Sequence, residues 1–439
     1  MKISIIGGTG YVGLITGLGL AVHGHDVICM DGDLKKLNKL EESLPGLLKE
    51  ATDRDKVVFT NNIKTAVRES DLIMIAVGTP ESQNGDTDLS QLILALELVA
   101  CYMNNYKTIV IKSTVPVGTC AMARMIIKDN LNHPMIPFDV VSNPEFLREG
   151  NAVRDFLKPD RIVVGVDTPK SEVVMKELYR SFDAPMIITD TKSSEMVKYA
   201  CNAYLATRIS FINEIAEISE KVNADIHAIL QGMKLDKRIG SHYLNPGPGF
   251  GGPCLAKDLK SLICFAGKAN ASLPLLKAVL ERNGLQVKSI TDYVMNELKD
   301  ESNKKIAVLG LSFKAGTSDT RNSPAVHLLE KLADTKITIH VYDPVVKSLK
   351  EPLKSRVVFS ESIEDTIRDS DCLIIMTEWP EFKNLDLKTI YNMMKTHLIV
   401  DTRNIFAPDK AHNLGFQYKG IGIADSIDKN ISVPLKNII

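Results

Sequence analysis

At the start of the chain, the pattern of hydrophobic residues changes within a few residues from one typical of a strand to one typical of a helix. Residues 2–6 are apolar and rich in β-formers, which predicts a strand. The glycine-rich turn Gly8-Thr9-Gly10-Tyr11-Val12-Gly13 follows, then an apolar helical segment over residues 14–23. A second apolar run, residues 26–30, ends at Asp31. This order of strand, turn, helix and strand predicts a βαβ unit.

Further apolar runs predict strands at residues 71–77, 108–111, 139–141 and 161–166. Polar turns follow three of these strands: Gly78-Thr79-Pro80, Ser113-Thr114-Val115-Pro116 and Ser142-Asn143-Pro144-Glu145. Ligands of open parallel sheets bind at the carboxyl ends of the strands. We therefore expect these three turns to surround one cleft.

Residues 193–222 form an amphipathic pattern with no internal Gly or Pro, which predicts a long helix. At about 1.5 Å per residue this helix would span roughly 45 Å, more than one domain core needs. We expect it to link domains and to carry a subunit interface. Residues 225–296 are mainly helical in pattern, apart from a loop rich in Gly and Pro.

The strand-and-glycine pattern restarts at residues 304–310, and residues 337–341 end at Asp343 as residues 27–30 end at Asp31. Residues 369–380 likewise parallel residues 69–80. The second copy has Gly310-Leu311-Ser312-Phe313 in place of the glycine motif, so we expect no second dinucleotide there. The predicted fold class is α/β, with two doubly wound (Rossmann-like) parallel-sheet domains joined by a long central helix and a helical dimerisation region. The expected domains are residues 1–200, 201–300 (with the Gly/Pro loop) and 301–439.

Composition limits the classes of function. Hydrophobic residues make up 44% and charged residues 24% of the 439 residues, as in globular proteins. The net charge of -1 gives no reason to expect nucleic acid or an anionic membrane as a partner, and no apolar run reaches about 18 residues. The start of the chain has no signal-peptide pattern. Seven scattered cysteines without a CxxC argue against disulfides and against a metal site, so we expect a cytoplasmic protein without metal.

The first turn reads G-x-G-x-x-G, with an acidic residue about 20 positions on, as dinucleotide binding requires. Asp31 favours NAD over NADP, because its carboxylate would accept from ribose hydroxyls and repel a 2′-phosphate. The alternative is a doubly wound domain that binds nothing at this turn. Lys36 could approach the cofactor, although a solvated helix lysine explains it equally well.

Cys254 follows a run of seven glycines and prolines among nine residues. Pro253 suits the first position of a helix, so Cys254 would lie in the first turn, where the helix dipole favours a thiolate. Asp258 would share its face at i+4. This predicts a nucleophile with a proton-transfer partner. The alternative is a small buried hydrophobe, the role that the other six cysteines suggest.

Other residues of the same chemistry are less specific when taken singly. Lys198 and Asn202 lie at i and i+4 on one helix face, but they could be a solvated charge and a surface amide. Glu145 and Glu149 follow a strand, but they could be carboxylates at a helix N-terminus. Phe313-Lys314 and Asp319-Thr320-Arg321 suit a base and phosphates, but a solvated loop is an equal alternative.

Taken together, these motifs resemble the UDP-glucose/GDP-mannose dehydrogenase family over essentially the whole chain. The resemblance rests on GTGYVG, VGTP, STVPVGT, NPEFLREG, EMVKYACNAYLATRISFINE, GPGFGGPCLAKD, GLSFKAGTSDTRNSP, TEWPEF and DTRNIF, in that order. The chain departs from the family pattern at Gly7, an extra glycine, at Pro253 and Leu255-Ala256, where Ser and Phe-Pro are usual, and at Thr402, where Gly is usual.

The resemblance implies an NAD-dependent four-electron oxidation of UDP-glucose to UDP-glucuronate. It implies that Thr114 and Asp258 hold a water and that Lys198 and Asn202 stabilise an oxyanion. Cys254 would form a thiohemiacetal and then a thioester. Glu145 would activate the water that hydrolyses this thioester, with Glu149 in support.

The resemblance also implies binding residues and a homodimer in which Arg238 reaches the sugar of the neighbouring subunit. Two alternatives stay open: a GDP-mannose or UDP-N-acetylhexosamine dehydrogenase of the same family, and a regulatory protein that binds nucleotide sugars. The implied cofactor contacts are Gly8, Gly10, Tyr11, Val12, Gly13, Asp31, Lys36, Thr79, Thr114, Glu149, Lys257 and Arg321. The implied substrate contacts are Glu145, Phe146, Leu147, Lys198, Asn202, Arg238, Asn245, Phe250, Gly251, Phe313, Lys314 and Arg403.

Overall fold

The computed structural model describes residues 1–33, 56–299 and 302–424. It separates into two compact units, one formed by Met1–Cys201 with Lys260–Ser272 and the other by Asn202–Leu259 with Leu273–Ile439. Lys36, one of the predicted cofactor contacts, lies outside the described residues.

The first unit holds a sheet whose described strands run in the order β3-β2-β1-β4-β5-β6-β7-β8. Its pairings are parallel except for one antiparallel pair, Ser142 with Gly165, between β6 and β7. The strands are β1 (Lys2–Ile6), β2 (Asp26–Met30), β3 (Val57–Thr60), β4 (Leu72–Ile75), β5 (Lys107–Ile111), β6 (Phe138–Ser142), β7 (Ile162–Gly165) and β8 (Met186–Thr189). The described helices before the long helix are α1 (Tyr11–Val22), α2 (Ile63–Glu69), α3 (Ser90–Tyr102), α4 (Thr119–Asn130), α5 (Ala152–Leu157) and α6 (Pro169–Leu178).

Both faces of this sheet are buried, which explains why its central strands are continuous apolar runs. In β4, Leu72 and Met74 belong to one core cluster, while Ile73 and Ile75 belong to the cluster on the opposite face. Side chains alternate between the two faces of a strand, so one four-residue strand contributes to both cores. Each such buried side chain stabilises the fold by about 1.5–3 kcal/mol.

A long helix, α7 (Thr191–Val222), begins in the first unit and ends in the second. Its length is roughly 48 Å at about 1.5 Å per residue. After it come α8 (Ile226–Leu235), α9 (Leu255–Lys268) and α10 (Pro274–Leu298). No helix of the described residues combines the length and apolar character that a membrane crossing demands.

The second unit contains a parallel sheet with the described strands in the order β11-β10-β9-β12-β13-β14. Cys372 and Ile374 of β12 face one core, and Leu373 and Ile375 face the other. The strands are β9 (Lys305–Leu309), β10 (Thr338–Tyr342), β11 (Val358–Phe359), β12 (Cys372–Ile375), β13 (Leu398–Asp401) and β14 (Gln417–Gly420). The remaining described helices are α11 (Pro324–Leu332), α12 (Leu353–Arg356), α13 (Ile363–Ile367), α14 (Pro380–Lys383), α15 (Leu387–Met393) and α16 (Pro408–Asn413).

The predicted fold class is confirmed: two parallel-sheet α/β regions are present, with a long helix between them in the chain. Both sheets reverse their strand order beside the first strand, between β1 and β4 and between β9 and β12. Ligands of doubly wound sheets bind at that reversal, at the carboxyl ends of the strands. The fold therefore offers each unit one such position.

Candidate active site

The glycine turn after β1 leaves no space for a Cβ atom at Gly8 or Gly13. Gly7 adopts a left-handed φ of 84° directly after the strand. A Cβ on Gly8 would lie 2.7 Å from the Cα of Cys29, and a Cβ on Gly13 would lie 2.1 Å from the carbonyl oxygen of Gly7. Both distances are shorter than real contacts, so α1 reaches this close to β1 and β2 only through glycine.

The start of α1 is open to a ligand. Gly10 is its N-cap residue, and among the described residues no side chain caps the helix and no acidic residue occupies its first turn. Val12, in that first turn, packs against the core. Asp31 follows β2 and accepts from the backbone N–H of Thr9 at 3.4 Å. An open helix N-terminus suits a pyrophosphate and a carboxylate at this strand end suits a ribose, so these residues fit NAD.

Two further predicted cofactor contacts are joined to their neighbours by hydrogen bonds. The Thr79 hydroxyl donates to the backbone carbonyl of Thr114 at 2.9 Å, which connects the loops after β4 and β5. The Tyr11 hydroxyl accepts from the backbone N–H of Gly150 at 3.2 Å. Burial raises the pKa of Tyr11, and the negative charge of Glu149 adds to the effect. Tyr11 and Glu149 therefore lie in the same region, at the start of α1.

Lys198 and Glu145 form a buried ion pair. The Lys198 Nζ lies 3.2 Å from the Glu145 Oε1, and the two side chains are only 6% and 11% exposed. The other Glu145 oxygen accepts from the backbone N–H of Leu147 at 2.5 Å. The Phe146 ring lies 5.4 Å from the Lys198 Nζ and 3.9 Å from the guanidinium of Arg161. This burial excludes a solvated helix lysine, and α5 starts too late for Glu145 to be one of its N-terminal carboxylates.

Glu195, which the sequence motifs did not indicate, lies one turn before Lys198 on α7. Its carboxylate accepts from the backbone N–H groups of Gly118 at 2.6 Å and Cys120 at 2.7 Å, and so caps the start of α4. Burial raises the pKa of Glu195. Because the loop before α4 carries Thr114, Glu195 ties that loop to the helix that carries Lys198. The spacing of an acidic residue three positions before Lys198 was the available signal.

In the second unit, a buried carboxylate has two partners. Asp258 accepts from the Asn202 side-chain amide at 2.6 Å and lies 2.8 Å from the Lys257 Nζ. Asn202 and Asp258 are both buried, so Asn202 is no surface amide. The backbone N–H of Asp258 donates to the Cys254 carbonyl at 2.9 Å. Asp258 is therefore held one helical turn from the thiol.

The helix after the Gly/Pro loop starts later than the sequence predicts. We expected Pro253 at its first position and Cys254 in its first turn, but α9 begins at Leu255. The carbonyl of Cys254 accepts the first helical hydrogen bond, so Cys254 occupies the N-cap position. The thiol side chain is exposed, which excludes a small buried hydrophobe. It still lies at the positive end of the helix dipole.

The Gly/Pro loop packs closely on the loop after β9. A Cβ on Gly251 would lie 2.4 Å from the carbonyl oxygen of Asn322 and 3.0 Å from the Cβ of Phe313. The backbone N–H of Phe250 donates to the Asn283 side chain at 2.7 Å, and the Asn283 amide returns a bond to the Phe250 carbonyl at 3.0 Å. The loop conformation is thus fixed by Asn283 on one side and by the segment that carries Phe313, a predicted substrate contact, on the other.

Cationic side chains lie around Phe313. Arg403 donates to the Phe313 carbonyl at 3.2 Å, and the Lys314 Nζ lies 5.6 Å from the Phe313 ring centroid. The Arg321 guanidinium forms an ion pair with Asp319 and is mostly exposed. Lys314 therefore lies near the Phe313 ring, and Arg403 is bonded to the Phe313 backbone.

Asn245 and Arg403 line a groove of about 460 Å³ in the second unit. Lys234, which the sequence did not indicate, also lines it and donates to the Asn245 side chain at 2.7 Å. Arg238 lies apart from this group: its side chain is 89% exposed and forms a 2.6 Å ion pair with Asp236. The structure therefore brings Asn245 and Arg403 together and leaves Arg238 at the surface.

Each unit thus gathers part of the predicted set. The first holds a glycine turn fitted to a dinucleotide, together with a buried lysine–carboxylate pair. The second holds an exposed thiol at a helix N-terminus, one turn from a buried carboxylate. These features define a dinucleotide-dependent dehydrogenase.

Comparisons with known proteins identify the family. Residues 1–183 match the NAD binding domain, residues 192–284 the central domain and residues 307–408 the UDP binding domain of the UDP-glucose/GDP-mannose dehydrogenase family. The UDP-glucose 6-dehydrogenase YwqF of Bacillus subtilis (strain 168) is 40% identical over 96% of this chain and 98% of its own length. The chain belongs to the UDP-glucose/GDP-mannose dehydrogenase family, and its cofactor is NAD.

Two solved structures are similar over nearly the whole chain. A UDP-glucose dehydrogenase from Pyrobaculum islandicum has a TM-score of 0.87 and 31% identity, and covers 96% of this chain and 98% of its own. A UDP-D-ManNAc dehydrogenase from Pyrococcus horikoshii has a TM-score of 0.85 and 28% identity, and covers 96% and 99%.

Proposed function

We propose that this protein oxidises the C6 alcohol of UDP-glucose to a carboxylate in two NAD-dependent steps, which gives UDP-glucuronate. One observation carries the proposal: α7 presents Lys198 and Asn202 one turn apart, both buried and each bonded to a carboxylate. Buried polar side chains need such partners, and a substrate oxygen can replace them. The names of the similar dehydrogenases from Bacillus subtilis and Pyrobaculum islandicum support UDP-glucose as the substrate.

The first oxidation converts the alcohol to an aldehyde. Bound NAD supplies the hydride acceptor in each of the two oxidations. A water held by Thr114 and Asp258 takes the hydroxyl proton, and Lys198 and Asn202 stabilise the negative charge that develops on the substrate oxygen. The burial of Lys198 strengthens this interaction, because the surroundings screen charge less than water does.

The second oxidation passes through Cys254. Its thiolate attacks the aldehyde carbon, forms a C–S bond and gives a thiohemiacetal. Loss of hydride from that carbon leaves a thioester. Glu145 takes a proton from a water that attacks the thioester carbonyl, and cleavage of the C–S bond releases the carboxylate and restores the thiol. Glu149, which follows Glu145 by one short segment, supports this step.

We assign the nucleotide and cofactor contacts by the same family resemblance. Phe313, Lys314 and Arg403 hold the uridine nucleotide, which the match to a UDP binding domain supports. Asn245, Phe250 and Gly251, together with the backbone of residues 145–147, surround the sugar. Thr79, Glu149, Lys257 and Arg321 contact the cofactor.

We also propose a homodimer. Tyr204, Phe211 and Ile218 lie seven residues apart on α7 and are 60%, 45% and 52% exposed, which forms an apolar stripe suited to a second copy. In this dimer Arg238 contacts the sugar bound by the partner. The proposed domains are residues 1–200, 201–300 and 301–439, which the three matched family ranges support. The cytoplasm is the proposed compartment, in keeping with seven cysteines held as thiols.

A parallel assay separates this function from its alternatives. NADH formation is measured with UDP-glucose, GDP-mannose, UDP-N-acetylglucosamine and UDP-N-acetylmannosamine. We expect two NADH per UDP-glucose consumed. The resemblance to the Pyrococcus horikoshii enzyme makes the acetylated sugars the strongest competitors. Activity only with another sugar nucleotide overturns the substrate assignment, and binding without NADH formation favours the regulatory protein.

The thioester route is tested with Cys254→Ser. We expect this variant to lose acid formation and to accumulate a covalent ester adduct, detected as a mass increase of the intact protein. Cys264→Ser is the matched control, because Cys264 lies on the same helix, outside the proposed site. Normal formation of two NADH by Cys254→Ser rules out the covalent route.

The dimer contact is tested with Arg238→Ala. We expect KM for UDP-glucose to rise about tenfold or more, because the variant loses one charge-assisted hydrogen bond to the sugar. Light scattering should still report a dimer. Lys237→Ala, next in the chain, is the control. An unchanged KM removes Arg238 from the site.

A further inference from the structure

A second lysine lies in the region of the Lys198–Glu145 pair. Lys112 directly follows β5, and its backbone N–H donates to the Ile75 carbonyl at 2.9 Å. Its side chain is buried. A lysine at the end of the apolar run Thr108-Ile109-Val110-Ile111 was the signal in the sequence. Burying an ammonium costs free energy, so its presence there calls for a partner of opposite charge.

A hydrogen bond to a well-anchored side chain fixes the position of the Lys112 ammonium. The Lys112 Nζ donates to the Asn143 Oδ1 at 3.2 Å. Asn143 is itself held, because its amide donates to the Val163 carbonyl at 2.8 Å and its oxygen accepts from the Tyr179 hydroxyl at 2.5 Å. Asn143 lies two residues before Glu145. The ammonium is therefore held beside the segment that carries the Glu145 carboxylate.

The electrostatics connect Lys112 with both members of the pair. Burial lowers the pKa of Lys112 to about 8, the negative charge of Glu145 opposes that shift, and the positive charge of Lys198 adds to it. Among the described residues, Tyr11 also interacts with the charge of Glu145, and Arg161 stacks on the neighbouring Phe146 ring. Lys112 and Lys198 thus provide two cations for the single carboxylate of Glu145.

We propose that Lys112 is a positioning residue that gives Glu145 a second cation when Lys198 leaves it to bind the oxyanion of the substrate. Lys198 contacts Glu145 at 3.2 Å, yet the proposed function requires it to stabilise a substrate oxygen as well. With Lys112 present, Glu145 keeps a cation in its surroundings during that exchange and stays ready to accept a proton from water. This role rests on the proposed function.

The pH dependence of kcat tests this role. Lys112 is charged below about pH 8 and neutral above it. We expect kcat for acid formation by the wild type to fall above this pH, and Lys112→Arg to shift the fall to higher pH because a guanidinium does not lose its proton. Lys112→Met should lower kcat about tenfold, because the charge of Lys112 contributes stabilisation equivalent to about one pK unit. The decrease of kcat above about pH 8 should also disappear in this variant. A wild-type profile in Lys112→Met overturns the proposal.

A titration that needs no substrate separates this inference from the proposed function. Lysines are labelled with ¹³C at Cε, and the Lys112 resonance is the one that Lys112→Arg removes. Its pKa should fall in Glu145→Gln and rise in Lys198→Met, as the signs of the two charges require. An unchanged Lys112 pKa in both variants overturns the coupling, whichever sugar nucleotide the enzyme oxidises. Should Lys112→Met fail to fold, Lys112→Arg and these two variants carry the test.

Discussion

The two sheets have the same strand order around their first strand and a similar first turn, but the residues that follow this turn have different partners. Gly7 after β1 and Gly310 after β9 both adopt left-handed φ values, 84° and 92°. Both donate to the last residue of the next strand, to Met30 at 2.9 Å and to Tyr342 at 2.8 Å. Up to this point the two turns have the same backbone arrangement.

They diverge at the next acidic residue. Asp31 is half-buried and accepts from Thr9 and Asp33 in its own turn. Asp343 is buried: one oxygen accepts from Leu311, Ser312 and Trp379, and the other from the N–H groups of residues 345 and 346. The carboxylate that would meet a ribose in a dinucleotide site is used by the chain itself.

The first helices after the two turns, α1 and α11, also differ in how well their N-termini could bind a ligand. α1 starts four residues after Gly7 with no side-chain cap, whereas α11 starts at Pro324, well after Gly310, and is capped by the Ser323 hydroxyl. An open helix N-terminus close to the strand end binds anions, whereas the N–H groups of α11 begin far from the strand end and one of them, that of Ala325, already has the Ser323 hydroxyl as its partner. Strand order therefore gives a position for a ligand, while the carboxylate and the cap decide whether a dinucleotide fits.

The largest expected effect comes from filling the first turn. Gly13→Val adds a side chain whose Cβ alone would lie 2.1 Å from the Gly7 carbonyl oxygen. We expect loss of NAD binding, at least about 100-fold in Kd, because α1 must move away from the turn. Calorimetric titration with NAD measures it. Gly267→Ala is the control, because no neighbouring side chain of the described residues lies within 4 Å of the place its methyl group would take. Tight NAD binding by Gly13→Val would contradict the close approach.

The next effect distinguishes the two aspartates by stability. Asp343→Asn replaces an oxygen that accepts several N–H groups with a donor, so it should destabilise the fold by about 2–3 kcal/mol. Urea unfolding measures this. Asp31→Asn is the matched variant and should cost less than about 1 kcal/mol, since its carboxylate is half-exposed and water can replace the bonds it loses. Equal losses in the two variants would remove the distinction.

Affinity should show the opposite order. Asp31→Asn should raise KM for NAD about tenfold, because the ribose hydroxyls lose a charged acceptor. Asp343→Asn, assayed at a temperature where it is folded, should keep the KM for NAD within about twofold. Initial rates at saturating sugar nucleotide give both values. A larger effect on KM for NAD from Asp343→Asn than from Asp31→Asn would contradict the assignment of the NAD site to the turn after β1.

The smallest effect concerns the cap of α11. Ser323→Ala removes the oxygen that accepts from the Ala325 N–H at 3.2 Å and should cost about 1 kcal/mol. Thermal unfolding measures it, and Ser323→Thr should retain most of the stability. A Tm of Ser323→Ala equal to the wild type would show that the cap contributes nothing.

The glycine turn, α7 and the repetition of the second sheet were predictable because each is a strong local pattern. Residues 193–222 were predicted to be helical, and α7 runs from Thr191 to Val222. The strands β3 and β8 were missed, because they are short edge strands with half-exposed residues and a weak alternation. Asp343 occupies the sequence position of Asp31, and only the fold reveals which backbone groups its carboxylate meets.

The candidate site was predictable in its residue types but not in its pairings. Spacing put Lys198 and Asn202 on one helix face, yet their bonds to Glu145 and Asp258 join residues more than 50 positions apart. The start of α9 was misplaced because Pro253 suits a first helical position, while the preceding Gly/Pro loop fixes the cap at Cys254. Lys112 and Glu195 were missed because their burial depends on packing between distant segments.

The position of Cys254 ahead of its helix also sets how the protein responds to reagents. It is the exposed one of seven cysteines; Cys29, Cys120 and Cys372 are buried, and the others are half-buried. Burial raises the pKa of Cys29 to about 12 and raises the pKa values of Cys120 and Cys372 as well, so these thiols react slowly. A limiting dose of iodoacetamide or peroxide will therefore modify Cys254 first. The proposed function predicts that this modification stops NADH formation while the fold persists.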